Sequence, residues 1–258
     1  MTILDELAAY AKLRVQTKKQ TRPLRDLQEA AEQEPQGDFA FTKALAKDGL
    51  SFICECKKAS PSKGLIATDF PYVKIAQEYE TAGADCISVL TEPKWFLGQD
   101  QYLVDIAQTV KIPCLRKDFT VDEYMLYEAK LLGADAVLLI CALSTDGELQ
   151  NYLQICKQLG LSALVEAHDE EEVKRAIAVG AQIIGVNNRN LKDFSVNTQN
   201  SAKLRKLIPS DVLYVSESGI KTKADVEAVK AMDADGVLIG EALMRSGNIA
   251  KTLAELRG

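Results

Sequence analysis

Histidine is almost absent from this chain of 258 residues, and its scarcity excludes several kinds of active site. The one histidine, His168, cannot build a His-rich metal centre, and a Ser-His-Asp type triad could form only through that residue. Cysteine occurs six times but never as a C-x-x-C pair. Because most of these cysteines stand in apolar runs, we expect buried thiols in a reducing cytosol rather than disulfides or a zinc site.

Two further absences argue against membrane and nucleic-acid roles. No stretch approaches the roughly 18 consecutive apolar residues that a membrane-spanning helix needs. The first ten residues include Asp5 and Glu6 and no basic segment, so they do not form a secretory signal. The net charge of −6 argues against binding nucleic acid through lysine and arginine. The composition therefore predicts a cytoplasmic globular protein.

Eight short apolar runs alternate with longer amphipathic stretches, at intervals of roughly 20 to 35 residues, close to the size of a βαβ unit. Their Val, Ile and Leu residues follow one another without polar alternation, as in parallel strands buried on both faces. The predicted strands are Ser51–Cys56, Cys86–Leu90, Pro113–Arg116, Ala136–Ile140, Ala163–Val165, Ile183–Val186, Val212–Val215 and Gly236–Ile239. The pattern predicts an α/β fold, the closed (β/α)8 or TIM barrel. A doubly wound open sheet is the alternative, but it often has a Gly-rich first turn, and the first turn here is rich in lysine.

Residues 1–45 lie outside this repeat, and a Pro-Gln-Gly-Asp break at residues 35–38 separates them from it. Their apolar positions predict one or two helices, with Leu4, Leu7, Leu13, Leu24 and Leu27 as the apolar residues. We expect this N-terminal helical extension and the barrel of residues 46–258 to form one structural domain overall. The extension could be a plug under the barrel, a dimer contact or a lid over the site.

Charged or amide side chains follow most of the apolar runs, at the carboxyl ends of the predicted strands, where barrels place their active sites. Glu55 and Lys57 are two residues apart, so both point to the same face of the first strand. Lys117 and Glu166 also follow apolar runs directly, where structure alone does not call for a charge. Since the chain is acidic overall, the lysines that follow the first run predict an anionic ligand.

The last two loops have the features of a phosphate cradle. Gly219 and Gly240 each precede a predicted helix, and glycine allows backbone amides to approach an anion at a helix amino end. Barrels often bind phosphate at these two loops. Arg189 could be a structural ion-pair partner or could grip a carboxylate through two parallel hydrogen bonds. His168 is expected only to form local hydrogen bonds.

With these motifs the chain resembles the indole-3-glycerol phosphate synthase family of tryptophan biosynthesis. The resemblance covers nearly the whole chain and rests on six segments, at residues 55–64, 88–93, 115–119, 164–168, 185–191 and 216–220. It implies a lyase, specifically a carboxy-lyase, in which an N-terminal helical lid helps to cover the substrate. The implied substrate is 1-(2-carboxyphenylamino)-1-deoxyribulose 5-phosphate, and no metal or organic cofactor is expected.

The resemblance also implies roles for individual residues. Lys117 would protonate the substrate ketone, with a pKa adjusted by burial and neighbouring cations. The other implied catalytic residues are Glu55, Lys57, Glu166 and Asn187. The implied substrate-binding residues are Ser60, Phe96, Phe119, Arg189, Glu217, Ser218, Gly219, Leu238, Gly240 and Glu241. Among them the two glycines would bind the phosphate, the apolar residues together with Trp95 would line a slot for the aromatic ring, and Arg189 would pair with the carboxylate.

Two departures from the family pattern and two alternative functions accompany this reading. Cys54 and Cys56 flank Glu55 where many relatives have Ala or Ile, at positions that tolerate changes in size. Some relatives have a small hydroxyl residue in place of Glu241, so here only the backbone amide would face the phosphate. One alternative is phosphoribosylanthranilate isomerase, which uses a Cys/Asp pair and lacks the Glu-x-Lys-Lys-x-Ser-Pro-Ser loop found here. The other is a catalytically silent phosphate-binding barrel, which should have lost at least one of the catalytic charges. We expect a monomer that binds a small phosphorylated molecule and neither nucleic acid nor membrane.

Overall fold

Eight parallel strands form a closed barrel in which the first strand pairs with the last. The computed structural model describes residues 2–189 and 195–258. The barrel strands are β1 (Ser51–Cys56), β2 (Cys86–Leu90), β3 (Cys114–Lys117), β4 (Ala136–Ile140), β5 (Ser162–Ala167), β6 (Ile183–Asn187), β7 (Leu213–Glu217) and β8 (Gly236–Ile239). The predicted TIM barrel is confirmed, and the open sheet is excluded because β1 and β8 are hydrogen-bonded to each other.

Four strands end later than their apolar runs predict, β3 and β6 by one residue and β5 and β7 by two. The fifth and seventh runs were expected to end at Val165 and Val215, whereas β5 reaches Ala167 and β7 reaches Glu217. Glu166 keeps its place in the ladder, where it is paired with residues of both neighbouring strands. A buried carboxylate is tolerated in a strand when a cation lies close to it, as Lys117 lies close to Glu166. The first charged residue after an apolar run therefore does not mark the end of the strand.

Helices cover the outside of the barrel, and each barrel strand is followed by at least one of them. Those after β1 are α4 (Tyr72–Thr81), α5 (Asp100–Thr109), α6 (Tyr124–Leu131), α7 (Asp146–Leu159), α8 (Glu170–Ala178), α9 (Gln199–Arg205), α10 (Lys223–Lys230), α11 (Glu241–Met244) and α12 (Ile249–Arg257). A short antiparallel pair, Ala59–Ser60 with Gly64–Leu65, lies in the loop after β1. In the described ranges, no helix has the length and apolar character needed to cross a membrane.

Three helices precede the barrel and contact different parts of it: α1 (Ile3–Thr21), α2 (Leu24–Gln33) and α3 (Ala40–Leu45). Helix α2 packs along α6 on the outside of the barrel. Lys130 Nζ, in α6, donates a hydrogen bond of 2.7 Å to the Pro35 carbonyl oxygen just after α2. This path carries the chain from one end of the barrel to the other.

Helix α3, which we call the plug helix, closes the amino-terminal end of the barrel. Phe41 and Leu45 are fully buried there in the apolar interior. Thr42 Oγ1 donates a 2.8 Å hydrogen bond to Ser162 Oγ at the start of β5. A Cβ at Gly236, the first residue of β8, would lie 2.9 Å from Leu45 Cδ2, so the absence of a side chain makes room for the plug helix.

Helix α1, which we call the covering helix, lies at the opposite, carboxyl-terminal end. Leu7 and Ala11 are buried in the same interior cluster as Phe119, which follows β3. The Arg14 guanidinium forms two hydrogen bonds, of 3.0 and 2.7 Å, with the two carboxylate oxygens of Asp118. The extension therefore supplies both a plug and a cover, through different helices.

Candidate active site

A cavity of about 250 Å³ opens among the carboxyl ends of the strands, and every residue predicted for the site except Trp95 lines it. From the predicted catalytic set it contains Glu55, Lys57, Lys117, Glu166 and Asn187. From the predicted binding set it contains Ser60, Phe96, Phe119, Arg189, Glu217, Ser218, Gly219, Leu238, Gly240 and Glu241. Closure of the barrel brings these residues together, because the carboxyl ends of all eight strands meet at one rim.

Lys117, at the end of β3, is held between two carboxylates. Its Nζ lies 3.2 Å from Glu166 Oε2 and 3.3 Å from Glu217 Oε2. Burial by itself lowers the lysine pKa, but the charges of Glu217 and Glu166 more than reverse this effect and raise it. The expectation that neighbouring cations adjust this pKa is wrong, since the nearest charged groups are anions. Lys117 is therefore an ammonium ion at neutral pH.

The two carboxylates beside Lys117 differ in their surroundings. Burial raises the pKa of both, but Lys117 and His168 together hold the pKa of Glu166 well below its usual range. Burial raises the pKa of Glu217 to about 7, and the nearby charge of Glu166 adds to the increase. Within the described ranges, Glu217 Oε1 has no hydrogen-bond partner. A pair of carboxyl groups with separated pKa values is typical of acid–base sites.

Glycine on β6 creates the space that the Glu217 side chain occupies. A Cβ at Gly185 would collide with Glu217 Oε1 and would lie 3.1 Å from Leu164 Cδ1. Any larger residue at this position would force the carboxylate away from Lys117. The sequence did not single out Gly185, because a glycine inside a strand indicates a close approach without showing what approaches.

Glu55 and Lys57 form a second charged pair on β1 and in the loop after it. Lys57 Nζ lies 2.7 Å from Glu55 Oε1, and Ser88 Oγ on β2 donates a 3.2 Å hydrogen bond to Glu55 Oε2. The pair rests against the loop after β8, which we call loop 8 because each loop takes the number of the strand before it. A Cβ at Gly240 in this loop would lie 2.7 Å from Glu55 Oε1 and 3.2 Å from Lys57 Nζ. The prediction that both side chains share one face is confirmed, whereas the support from Ser88 was not foreseen.

The loop after β7 has a sharply turned backbone. Ser218 and Gly219 both have positive φ, at 68° and 88°. The Asn188 side-chain amide donates hydrogen bonds to the Ser218 carbonyl oxygen, at 3.1 Å, and to Ser216 Oγ, at 3.2 Å. Turns that direct successive backbone N–H groups toward a common concavity are a form that anion sites use, and both Ser218 and Gly219 line the cavity. The sequence does not single out Asn188, because its partners lie about 30 residues further along the chain.

Loop 8 and loop 1 complete this end of the cavity. Gly240 immediately precedes α11, whose first residue, Glu241, also faces the cavity. Glu241 Oε1 lies 3.4 Å from Arg245 Nε and 3.9 Å from Lys63 Nζ, so its carboxylate is engaged by two cations. Ser60 is buried in loop 1 beside them.

Loop 6 is linked to loop 1 and to β5. The Arg189 guanidinium donates a 3.4 Å hydrogen bond to Ser62 Oγ, and its backbone N–H donates to Asn187 Oδ1 at 3.0 Å. The Asn187 side chain also hydrogen-bonds to Glu166. Positions 190 and 191 of the matching segment 185–191 lie outside the described residues. Ser62 was not singled out in the sequence, because its partner is distant along the chain.

The opposite wall of the cavity is apolar. The rings of Phe96 and Phe119 lie 5.9 Å apart, and Leu238 joins them in the lining. Ile3 and Leu7 of the covering helix form the roof. The apolar pattern of residues 1–45 indicated a buried helix face but not which surface it would cover.

Trp95 does not line the cavity, although the sequence suggested it for the ring slot. Its ring instead packs edge-on against Tyr10 of the covering helix, with 5.6 Å between the centroids. The Glu92 carboxylate shapes this loop by accepting hydrogen bonds from the backbone N–H groups of Lys94, Trp95 and Phe96. Trp95 therefore helps to seat the covering helix.

The arrangement suits an elongated ligand that is anionic at one end and flat and apolar at the other. Backbone amides, Ser60 and Lys57 lie at one end, aromatic side chains lie at the other, and Lys117 with its two carboxylates lies among them. No set of three or more His, Cys, Asp or Glu side chains within residues 2–189 and 195–258 is arranged to hold a metal ion.

Comparison with protein families and curated proteins gives a consistent match. The model of the family described as indole-3-glycerol phosphate synthase matches residues 4–256. The indole-3-glycerol phosphate synthase of Ruminiclostridium cellulolyticum is 57% identical over 257 residues, which cover 99% of each chain. That of Endomicrobium trichonymphae is 54% identical over 256 residues, again 99% of each chain. All three name the synthase rather than the isomerase that the sequence left as an alternative.

Solved structures with low sequence identity share the barrel. Thiamine phosphate pyrophosphorylase from Pyrococcus furiosus superposes with a TM-score of 0.61 at 18% identity, covering 84% of this chain and 96% of that one. A 3-hexulose-6-phosphate synthase superposes with a TM-score of 0.64 at 16% identity, covering 81% of this chain and 98% of that one. At these identities the likeness concerns the fold alone.

Proposed function

The chain belongs to the indole-3-glycerol phosphate synthase family, and we propose that the family's reaction takes place in the cavity around Lys117. The activity is that of a carboxy-lyase of tryptophan biosynthesis. It converts 1-(2-carboxyphenylamino)-1-deoxyribulose 5-phosphate into indole-3-glycerol phosphate, carbon dioxide and water. The observation that carries the assignment to this cavity is the buried Lys117 ammonium between Glu166 and Glu217.

The phosphate of the substrate is proposed to bind at loops 7 and 8. The turned backbone at Ser218 and Gly219 and the amino end of the helix after Gly240 offer N–H groups to an anion. Lys57, packed against Gly240, adds a positive charge, and Ser60 adds a hydroxyl group. The Glu241 carboxylate stays engaged with Arg245, so only the backbone of Glu241 is presented to the phosphate.

The carboxyphenyl group is proposed to occupy the apolar end of the cavity. Phe96, Phe119 and Leu238 supply a flat slot, and the covering helix excludes water from above. Arg189 is proposed to pair with the substrate carboxylate, since guanidinium groups bind carboxylates through two parallel hydrogen bonds. Desolvation of this carboxylate favours its departure as carbon dioxide once the ring carbon has attacked the ketone.

Lys117 is proposed to protonate the ketone oxygen while the aromatic carbon forms the new carbon–carbon bond. Loss of carbon dioxide then restores the aromatic ring, and the former ketone oxygen, now a hydroxyl group, leaves as water after accepting a second proton. Glu166, which is ionised, is suited to take up the proton lost in this dehydration. Glu55 and Lys57 supply a further base and acid, and Asn187 orients Glu166.

An indole-fluorescence assay on purified protein with no added metal or cofactor tests this proposal. We expect wild type to form indole-3-glycerol phosphate, and Lys117→Ala to lower kcat by roughly 10²–10⁴-fold, the contribution of a general acid. Lys174→Ala, which removes an exposed lysine of α8, is the matched control and should be as active as wild type. Absence of product from a folded wild type would contradict the function, whereas an active Lys117→Ala variant would contradict only the role of Lys117.

We also propose that the chain acts as a cytoplasmic monomer without nucleic-acid or membrane partners, and that residues 1–45 and 46–258 form one structural domain. Support for the domain comes from the covering and plug helices, which contact opposite ends of the barrel. Support for the monomer comes from the large exposed apolar residues of the described ranges, which are scattered: Leu13, Leu65, Leu97, Val196 and Leu207. Light scattering on the purified protein would measure the oligomeric state.

A further inference from the structure

His168, the one histidine of the chain, is held between two carboxylates at the end of β5. Its Nε2 lies 3.2 Å from Glu166 Oε1, and its Nδ1 lies 3.1 Å from Glu172 Oε2. The side chain is 19% exposed, so the ring is largely withdrawn from solvent. The reaction described above assigns no task to this residue.

Glu172 fixes both the backbone and the ring of His168. At the third position of α8, a glutamate commonly accepts the N–H of the cap residue, which here is Asp169. Glu172 instead accepts the backbone N–H of His168, at 2.8 Å, together with the ring contact. The Asn200 side-chain amide donates a 3.1 Å hydrogen bond to the His168 carbonyl oxygen. These contacts fix the orientation of the imidazole ring, so that Nε2 points toward Glu166.

We propose that His168 is a positioning residue that holds Glu166 from the side opposite Lys117. Glu166 then divides its two oxygens, with Oε1 toward His168 and Oε2 toward Lys117 and the substrate. The proposal rests on the function proposed above, in which Glu166 is the base. It adds that Glu172, His168 and Glu166 form a chain of carboxylate, imidazolium and carboxylate that keeps the base ionised and oriented.

A comparison within the site supports this assignment. Glu217 is as buried as Glu166 and lies equally close to Lys117, but its Oε1 has no hydrogen-bond partner in the described residues. The pKa of Glu217 is raised to about 7, whereas that of Glu166 is well below its usual range. The cation on the second oxygen of Glu166 is a principal difference between the two surroundings, together with the Asn187 amide.

His168 itself is positively charged at neutral pH in this setting. Burial lowers its pKa, but the hydrogen bonds and charges of Glu166 and Glu172 outweigh burial and raise the pKa to about 10. Glu166 faces the ring from β5 and Glu172 from α8, while Asp169 and Arg189 line an adjoining cavity of about 480 Å³. Protonated at both nitrogens, the ring hydrogen-bonds to Glu172 through Nδ1 and forms a 3.2 Å ion pair with Glu166 through Nε2.

Nitrogen-15 NMR tests the charge directly, because one histidine gives one set of imidazole resonances. We expect the wild-type ring to remain doubly protonated well above the ordinary histidine pKa of about 6.5. Glu166→Gln should lower the titration midpoint, because a neutral amide no longer stabilises the cation. A wild-type midpoint near the ordinary value, or a midpoint unchanged by Glu166→Gln, would overturn the proposal without reference to activity.

Kinetics of His168→Gln test the positioning role. We expect kcat to fall about tenfold while KM changes less than about twofold, because the base and not substrate affinity is affected. The acid limb of the rate profile should move to higher pH, since Glu166 is protonated more easily without a neighbouring cation. Glu172→Gln should shift the limb in the same direction by a smaller amount. In a Glu166→Gln background, His168→Gln should have no further effect.

Controls separate the failure of this inference from the failure of the function. Glu171→Gln removes an exposed charge from the same turn of α8 and should leave both kcat and the pH limb unchanged. An inactive folded wild type would contradict the proposed function itself. An active wild type, impaired by Glu166→Gln but unaffected by His168→Gln, would overturn only the role of His168. A His168→Gln variant that loses stability without moving the pH limb would likewise overturn it.

Discussion

The covering helix and the plug helix close opposite ends of one barrel by different physical means. The plug helix inserts Phe41 and Leu45, both fully buried, and its polar contacts with the barrel strands are hydrogen bonds between uncharged groups. The covering helix also buries apolar residues, but cationic side chains in its carboxyl-terminal half form ion pairs with the barrel. The contacts are Arg14 with Asp118, Lys18 with Asp100 and Glu128, and Lys19 with Asp122.

The difference corresponds to what each end of the barrel has to do. A substrate must enter and leave at the carboxyl end, and the ion pairs of Lys18 and Lys19, which are partly exposed, cost little to break in water. Nothing needs to pass the amino end, where burial of large apolar side chains gives a contact that is expensive to open. We infer that the barrel is sealed permanently at one end and reversibly at the other.

Phe41→Ala should have the largest effect on stability, because it empties a fully buried site in the plug helix. We expect the free energy of unfolding to fall by about 3–5 kcal/mol, the usual range for a buried phenylalanine. KM should not change, since Phe41 is at the end remote from the cavity. Urea unfolding and steady-state kinetics measure the two quantities. Leu13→Ala, at an exposed position of the covering helix, is the control and should change stability by less than about 0.5 kcal/mol.

Arg14→Met should reverse that pattern by weakening the covering helix. It removes the bidentate partner of Asp118, a buried carboxylate directly after Lys117. We expect KM to rise by about tenfold, equivalent to about 1.4 kcal/mol, because the roof of the cavity is released. The free energy of unfolding should fall less than in Phe41→Ala, since Thr91 still donates a hydrogen bond to Asp118. An unchanged KM would show that the covering helix does not contribute to substrate binding.

The stability contributed by this contact should depend on pH with a definite sign. Burial raises the pKa of Asp118, but the hydrogen bonds and charges of Arg14 outweigh burial and lower it. A carboxyl with a depressed folded-state pKa stabilises the protein above its unfolded value, about 3.9, and this stabilisation is lost as pH falls toward the folded value. The stability difference between wild type and Arg14→Met should therefore shrink below about pH 4. Unfolding curves recorded from neutral to acidic pH would measure it, and a difference that grows in acid would contradict the pairing.

The sequence predicted the barrel well because its signals are local. Apolar runs of strand length and helix-forming intervals between them depend on neighbours in the chain, and the closed barrel follows from their number. Site residues were predicted for the same reason, since each follows its own strand directly, as Lys117 follows β3. The polar end of a strand is visible in the sequence even when its partners are not.

Pairings across the barrel could not be predicted in the same way. Glu166 is 49 residues from Lys117, and Arg14 is 104 residues from Asp118. Such contacts exist only after the strands have closed and the covering helix has docked. The sequence consequently gave Lys117 the wrong neighbours, left the place of residues 1–45 open and gave His168 only local hydrogen bonds. In the structure the neighbours of Lys117 are the carboxylates of Glu166 and Glu217. Helices α1 and α3 of the extension lie at opposite ends of the barrel.

Lys18→Met should produce the smallest effect and show how little a single cation of the covering helix contributes. Lys18 Nζ contacts Asp100 and Glu128, but the buried Arg116 guanidinium also contacts both carboxylates, at 2.8 and 2.7 Å. Neither acid is left unpaired when the lysine is removed, so the loss should be about 0.2–1 kcal/mol, typical of exposed pairs.

The salt dependence of KM distinguishes this small electrostatic contribution from packing. In wild type, added salt should raise KM slightly, because exposed charges are screened over about 10 Å at 0.1 M ionic strength. At low salt Lys18→Met should already have a KM slightly above that of wild type, and its KM should respond less to added salt. Lys12→Met, which removes an exposed lysine of the same helix, should behave as wild type. If KM of Lys18→Met rose as much as that of Arg14→Met, the covering helix would be held by one cooperative network of charges. If the contacts are independent, the rise in KM should instead be larger for Arg14→Met than for Lys18→Met. The reason is that Asp118, the partner of Arg14, is 1% exposed, whereas Asp100, a partner of Lys18, is 29% exposed.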